Sequence, residues 1–298
     1  VTLKIAEFRS GVVGKFGGVF QVSVNGFSSL DQFDLSNKFG FSCKGGSFVN
    51  GMDLNCQMFD PHNRYILQLS DNTDDLRYTV LENVKANESY KVSFDDMQPF
   101  DKTIDFAFPQ SSNVGLLVMG REAGESLLDN GYTLHSPGQR GARTQIKAGY
   151  LNSLTNYSTQ LTVDYTDFAY LYMNQGSIPQ PNIEWPSKAG FNLSSRSIHN
   201  FSANVSSPFN WRVSAWEHHK VSSPTARVLW RIFSNSEGQQ LSELPAEILS
   251  KHPVLVFENL SHSSTTFYTE SEPYMDKVRR TLNEEMSQVG VQVGLRLW

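Results

Sequence analysis

The chain has 298 residues, which is enough for one large domain or two ordinary domains with a hydrophobic core, and this length excludes a miniprotein stapled by disulfides. Hydrophobic residues make up 39% and charged residues 18% of the chain, a composition typical of a folded protein of low charge. The net charge is −5 and the basic residues are scattered, which argues against a nucleic-acid partner. The sequence contains no run of about 18 uncharged apolar residues, so we expect no transmembrane helix.

Short segments that alternate apolar and polar residues recur through the first third of the chain, as in antiparallel sheets. Turn-forming pairs such as Asn25-Gly26 and Asn50-Gly51 separate them. The number and spacing of these segments predict an immunoglobulin-like β-sandwich over residues 1–109. The predicted strands are Val1–Phe8, Gly18–Phe27, Phe39–Cys43, Asp53–Phe59, Arg64–Leu69, Arg77–Leu81, Ser89–Phe94 and Thr103–Phe108.

A polar segment that begins with a proline, Pro109–Asn113, predicts a linker or a long crossover, and we place a domain boundary there. The following pattern predicts a larger, jelly-roll-like β-sandwich over residues 115–298. The segment Tyr157–Met173 is too long for one strand, so two strands interrupted near Asp164–Asp167 are expected. The other predicted strands are Val114–Met119, Tyr132–Ser136, Arg143–Tyr150, Ser197–Val205, Phe209–Glu217, Ala226–Phe233, Leu255–Glu258 and Thr265–Thr269.

Helical periodicity is convincing only near the end of the chain. Ser271 and Pro273 form a start signal, and apolar residues at helical spacing predict a short helix near residues 272–289. One helical turn is also indicated at 244–249. The last residues alternate in polarity and predict a final strand. The expected fold class is therefore all-β, with one short C-terminal helix.

Two cysteines, Cys43 and Cys56, flank a glycine-rich segment. They form either a disulfide across a hairpin, which is typical of an oxidising compartment, or a pair of small buried thiols. Six Asn-x-Ser sequons are a mild excess over chance and favour an exported protein. The sequon asparagines are Asn87, Asn156, Asn192, Asn200, Asn204 and Asn259.

Aromatic residues suggest a binding surface in the second half of the chain. Three of them recur at every second position of one predicted strand, and three tryptophans lie in flanking segments. Exposed rings bind the apolar faces of sugars or of partner side chains. The alternative is that the stripe is the inward face of a sandwich strand. The candidate residues are Phe168, Tyr170, Tyr172, Trp185, Trp211 and Trp216.

An acidic loop provides the only metal candidate that we nominate. Asp71, Asp74 and Asp75 supply oxygen ligands of the kind that calcium prefers, but they lack the spacing and the glycine of an EF-hand. The alternative is a set of solvated turn residues. Calcium at this loop is therefore the one cofactor considered.

The sequence contains no nucleophile elbow, zinc-protease motif, phosphate loop or dinucleotide fingerprint. We therefore expect a non-enzymatic protein, extracellular or at the cell surface, that recognises a glycan or a protein. One alternative is a virion capsid protein, released from a polyprotein so that it starts at Val1 and assembling into oligomers through its sandwich faces. The other is a carbohydrate-active hydrolase, for which Glu184 and Glu217 are a nominal carboxylate pair.

Overall fold

A computed structural model describes residues 15–45, 48–60, 63–71, 75–125, 130–136, 141–219, 227–240, 246–251, 256–270, 272–282 and 290–298. Within these ranges the protein is all-β with two short helices, which confirms the predicted fold class. The strand predicted over Val1–Phe8 lies outside the described residues.

In the described residues, the first sandwich has nine strands in two sheets. The strands are β1 (Lys15–Asn25), β2 (Ser29–Asn37), β3 (Gly40–Gly45), β4 (Phe48–Val49), β5 (Met52–Asp60), β6 (Tyr65–Asp71), β7 (Leu76–Leu81), β8 (Ser89–Ser93) and β9 (Gln98–Pro99). One sheet has the order β5-β1-β8, and the other has the order β3-β2-β6-β7-β9, with β4 also paired to β2. Strand β1 runs antiparallel to β5 and parallel to β8.

The core of the first sandwich lies between its two sheets. Successive side chains of a strand point to opposite faces, so an alternating sequence buries one face only. In β1, Phe20 and Val22 are buried, whereas Gln21 between them is exposed. They pack in one cluster with Leu35 of β2 and Leu67 of β6.

The second sandwich contains the remaining described strands. They are β10 (Lys102–Ala107), β11 (Asn113–Gly120), β12 (Tyr132–His135), β13 (Gln145–Tyr150), β14 (Tyr157–Asp164), β15 (Phe168–Gly176), β16 (Phe191–Arg196), β17 (Asn200–Val205), β18 (Trp211–His219), β19 (Arg227–Ser234), β20 (Gly238–Gln240), β21 (Ser261–Glu270) and β22 (Gly290–Leu297). The sandwich is built around an eight-stranded sheet of order β12-β11-β14-β15-β22-β21-β18-β19. Two smaller sheets, the pair β10-β13 and the three strands β16-β17-β20, complete it.

One hydrophobic cluster joins the large sheet to the two smaller sheets. Phe106 of the β10-β13 pair contacts Tyr172 of β15, with ring centroids 5.7 Å apart. Phe201 of β17 contacts Trp216 of β18 at 5.8 Å. The inner face of the eight-stranded sheet is therefore covered by the β10-β13 pair on one part and by the three-stranded sheet on another.

The two sandwiches share strand β6, which is buried on both faces. Tyr65, Leu67 and Leu69 belong to the first core, whereas Ile66 belongs to the second. Its neighbour β2 turns polar side chains toward β12, the edge strand of the eight-stranded sheet. Ser36 Oγ donates to Thr133 O at 2.9 Å and accepts from Thr133 N at 3.0 Å. A side chain of the first sandwich thus pairs with backbone groups of the edge strand of the large sheet. Covering an edge in this way protects it from pairing with another chain.

A group of charged residues reinforces this junction. Lys38 Nζ lies 2.5 Å from Glu122 Oε2 and 2.7 Å from Glu125 Oε1. Arg64 Nη1 binds the other oxygen of Glu122 at 2.9 Å, and its guanidinium lies 5.5 Å from the ring centroid of Tyr132. The hydrogen bond from Lys38, aided by the charges of both cations, outweighs partial burial and holds the pKa of Glu122 below its usual value.

The segment Pro109–Asn113 is a crossover inside the second sandwich. The strand before it, β10, pairs with β13 in register Ile104 to Ala148, although the predicted boundary assigned β10 to the first domain. The segment itself is tied down, because Ser112 N donates to Asp164 O at 2.9 Å. The change from one sandwich to the other therefore lies before Lys102.

The late helix and the final strand lie where the sequence predicts them. The helices are α1 (Ala246–Lys251) and α2 (Tyr274–Leu282), and residues 283–289 of the predicted helix lie outside the described ranges. The strand predicted over Leu255–Glu258 is not observed in its described part, which enters a 3₁₀ turn at Phe257–Asn259. In the ranges that the structure describes, no helix has the length and apolar character needed to cross a membrane.

Candidate functional site

The predicted aromatic stripe of β15 passes from the core to the surface. Tyr170 and Tyr172 are buried, at 7% and 3% exposure, and they pack in the core of the second sandwich. Burial raises the pKa of Tyr172 to about 12, so this side chain is neutral at physiological pH. Phe168, at the start of the strand, is only half-buried. Within the stripe, only the Phe168 end is therefore positioned to meet a ligand.

Two of the three candidate tryptophans have packing roles. Trp216 is fully buried, and its Nε1 donates to Arg196 O at 2.8 Å. Trp211 is 4% exposed and stacks on Tyr268 with centroids 4.1 Å apart. The ammonium of Lys277 lies 3.6 Å from the centroid of the same ring. These contacts favour the packing interpretation for Trp211 and Trp216.

The remaining candidates come together at the turn between β14 and β15. We define the aromatic cluster as Tyr165, Phe168, Tyr170 and Trp185. Tyr165 and Phe168 are stacked with centroids 4.3 Å apart and an interplanar angle of 8°. Trp185 stacks on Tyr170 at 5.1 Å. Because all members except Tyr170 are half-buried, the cluster combines a packed base with accessible ring surface.

Two hydrogen bonds anchor two rings of the aromatic cluster to the end of β10 and to the crossover segment that follows it. Trp185 Nε1 donates to Ala107 O at 3.1 Å, and the hydroxyl of Tyr165 donates to Pro109 O at 3.0 Å. Burial, with a smaller effect of Tyr170, raises the pKa of Tyr165 to about 12, which keeps this hydroxyl protonated as a donor. The rings are therefore held in place before any ligand arrives, which lowers the entropic cost of binding.

Polar groups lie at the margin of the aromatic cluster. Asp167, in the turn, forms an ion pair with Lys188 at 3.0 Å, and both side chains are largely exposed. Trp298 is 43% exposed and donates from Nε1 to Thr166 O at 3.5 Å. Arg196 Nη2 donates to Trp298 O at 3.0 Å. An aromatic surface beside charged hydrogen-bonding groups is an arrangement that suits a ligand with both C–H faces and hydroxyl groups.

The acidic loop is only partly within the described ranges. Asp74 and the side chain of Asp71 lie outside them. Asp75 Oδ2 accepts from Arg77 Nε at 2.9 Å, so a cation of the protein already neutralises this carboxylate. Among the residues that the structure describes, no three His, Cys, Asp or Glu side chains converge as a metal site would require.

The two other sequence candidates have clear positions. Cys43 of β3 and Cys56 of β5 are joined by a disulfide, which links the two sheets of the first sandwich. Glu217 lies on the outer face of the eight-stranded sheet, opposite Leu229, next to the inward-facing Trp216. Trp185, which follows Glu184, packs on the inner face of that sheet. The nominal carboxylate pair is therefore not assembled into one site.

Tyr165, Lys188 and Trp298 belong to this site or border it, and they were not predicted from the sequence as site residues. Tyr165 lies in the break between two predicted strands, where residues are usually assigned to a turn without a further role. Lys188 is distant in sequence from its partner Asp167. The spacing Tyr165-x-x-Phe168 across a tight turn is the one local signal, since it places two rings on the same side of the turn.

Comparisons of the chain with protein-family models, with curated protein sequences and with solved structures found no significant match.

Proposed function

We propose that the protein is a non-enzymatic binding protein, extracellular or at the cell surface, that recognises a glycan at the aromatic cluster. The observation that carries this proposal is the combination of half-exposed rings, fixed by hydrogen bonds to Ala107 and Pro109, with the Asp167–Lys188 ion pair beside them. Sugar rings present C–H faces that stack on aromatic rings, and their hydroxyl groups pair with carboxylates and ammonium groups.

The disulfide between Cys43 and Cys56 supports the location, because disulfides persist mainly in oxidising compartments. The buried positions of Tyr170 and Tyr172 support a rigid site, since they form the base on which the accessible rings rest. A flat, rigid aromatic surface loses little conformational entropy when it binds.

A glycan array followed by calorimetric titration of the best ligand tests this proposal. Trp298→Ala removes an exposed ring next to the cluster, and Asp167→Asn removes a charge at its margin. We expect each variant to bind about tenfold more weakly, which is about 1.4 kcal/mol, with an unchanged fold. Phe233→Ala is the matched control, because Phe233 is a 50% exposed ring on the outer strand β19. Equal affinity of all four proteins, or no binding to any glycan, would refute the proposal.

A further inference from the structure

The small sheet of β16, β17 and β20 presents a face of asparagines to solvent. In β17, Phe201 and Ala203 are buried, at 1% and 5% exposure, whereas Asn200 and Asn204 are exposed. The alternation of a strand therefore turns both asparagines outward. Asn192 of β16 is also exposed.

The register places all three asparagines on the same side of this sheet. Asn192 is the direct cross-strand partner of Asn204, and directly opposed residues share a face. Asn200 and Asn204 are four residues apart on one strand, which also puts them on one face. We call this surface, defined by Asn192, Asn200 and Asn204, the asparagine face.

Each residue of the asparagine face begins an Asn-x-Ser sequon, the acceptor motif for N-linked glycans. The third positions are Ser194, Ser202 and Ser206. Among the six sequons of the chain, half therefore lie on a single small sheet, and their asparagines are exposed to solvent.

Asn156 shows the opposite situation. It also begins a sequon, but it is half-buried and its Nδ2 donates to Glu125 O. The serine of this sequon, Ser158, is 6% exposed and accepts from Arg121 Nη1 at 3.2 Å. A glycan on Nδ2 of Asn156 would have to fit beside a half-buried amide that already bonds to the backbone, so this position provides an internal negative control.

The disulfide supplies an independent observation on the compartment. The Cys43–Cys56 bond is typical of an oxidising compartment, and one such compartment, the lumen of the secretory pathway, is where sequons are modified in cells that glycosylate asparagine. Exposure of the acceptors and passage through the right compartment are therefore both supported.

We propose that Asn192, Asn200 and Asn204 carry N-linked glycans that cover the asparagine face. In each transfer, the amide nitrogen of the asparagine forms a bond with the anomeric carbon of an oligosaccharide donated by a lipid-pyrophosphate carrier. The bond between that carbon and the pyrophosphate oxygen breaks, the amide loses one proton, and the lipid pyrophosphate leaves. A bulky polar layer on this face keeps it soluble and directs partner binding to other surfaces.

The test expresses the full chain behind a cleavable signal peptide in human cells. Both secreted and cell-retained protein are treated with peptide N-glycosidase in heavy-oxygen water, which converts each glycosylated asparagine to labelled aspartate. Peptide mapping then reads the occupancy of every sequon. Ser206→Ala removes the sequon at Asn204 without touching the acceptor, and Ser206→Thr restores it. Ser206 is exposed, so neither change disturbs the core.

We expect label at all three sites of the asparagine face and little at Asn156. Ser206→Ala should abolish the label at Asn204 only, and Ser206→Thr should retain it. Unlabelled asparagines on this face, in protein whose disulfide has formed, would overturn the proposal. Labelling of Asn156 as high as that of the face would also overturn it, because exposure would then not select the sites. None of these outcomes bears on glycan recognition at the aromatic cluster, which contains no sequon.

Discussion

Replacing Ser36 by alanine tests how the edge of the large sheet is closed. Ser36 is fully buried, and its hydroxyl is paired with both backbone groups of Thr133 on the edge strand β12. Alanine fits the same space but leaves one buried N–H and one buried C=O without this partner. Each such group costs about 1–3 kcal/mol, and the lost hydroxyl no longer needs desolvation, so we expect a net loss of about 2–4 kcal/mol.

Two measurements check this magnitude. Urea unfolding followed by tryptophan fluorescence gives the change in the free energy of unfolding. Hydrogen exchange of the peptide that contains Thr133 reports whether the loss is local, because its amide should exchange faster in Ser36→Ala. Ser23→Ala is the matched control, since Ser23 pairs with Asp53 on an exposed face of the same sandwich. The control should change stability by no more than about 0.5 kcal/mol.

A Ser36→Ala protein as stable as Ser23→Ala would show that the Ser36 hydroxyl does not stabilise the sheet edge. A fall in stability with unchanged exchange at Thr133 would also contradict closure of the edge by Ser36, because the hydroxyl would then act elsewhere.

Three further outcomes test other stabilising contacts. Because Lys38 lowers the pKa of folded Glu122, the stability from this carboxylate is present above its unfolded pKa and is lost as pH falls through the folded value. Urea titrations from about pH 7 to pH 3 should show this loss, and Glu122→Gln should flatten the slope; a parallel curve for the variant would contradict it. Reducing the disulfide, which spans a sequence separation of 13, should lower the free energy of unfolding by about 3 kcal/mol, and an unchanged urea midpoint would argue against that. Gly149→Ala would place a Cβ 2.4 Å from the ring of Phe100 and should lower the free energy of unfolding by about 1–3 kcal/mol. Thermal unfolding measures this loss, and a melting temperature equal to that of the original protein would show that the Phe100 ring moves aside at no cost in stability.

Sequence patterns predicted most of the strands in which apolar and polar residues alternate, and they also predicted β6, which is buried on both faces. They also predicted the break inside Tyr157–Met173, since β14 ends at Asp164 and β15 begins at Phe168. Strand β2 was not predicted, because Asp34 and Asn37 are residue types that are depleted in strands. The burial of Asp34 and Ser36 depends on the junction with the second sandwich, where they bond to Ser136 and Thr133, and a local pattern carries no information about that contact.

The candidate site was predictable in part for the same reason. Period-two spacing identified the stripe from Phe168 to Tyr172 but not which of its ends reaches the surface. That distinction depends on the β10-β13 pair, since Phe106 covers Tyr172 in the core. The pairing of Lys188 with Asp167 is a tertiary contact and has no signature in spacing.

The most direct test of glycan recognition is fluorine NMR of the protein labelled with 5-fluorotryptophan, titrated with a panel of methyl glycosides. Three of the five tryptophans report on different places: Trp185 belongs to the aromatic cluster, Trp298 lies beside it, and Trp216 is buried in the core. We predict saturable shifts of the Trp185 and Trp298 signals with at least one glycoside and a stationary Trp216 signal. Signals from Trp185 and Trp298 that stay fixed throughout the panel would contradict the assignment of the aromatic cluster as a glycan site.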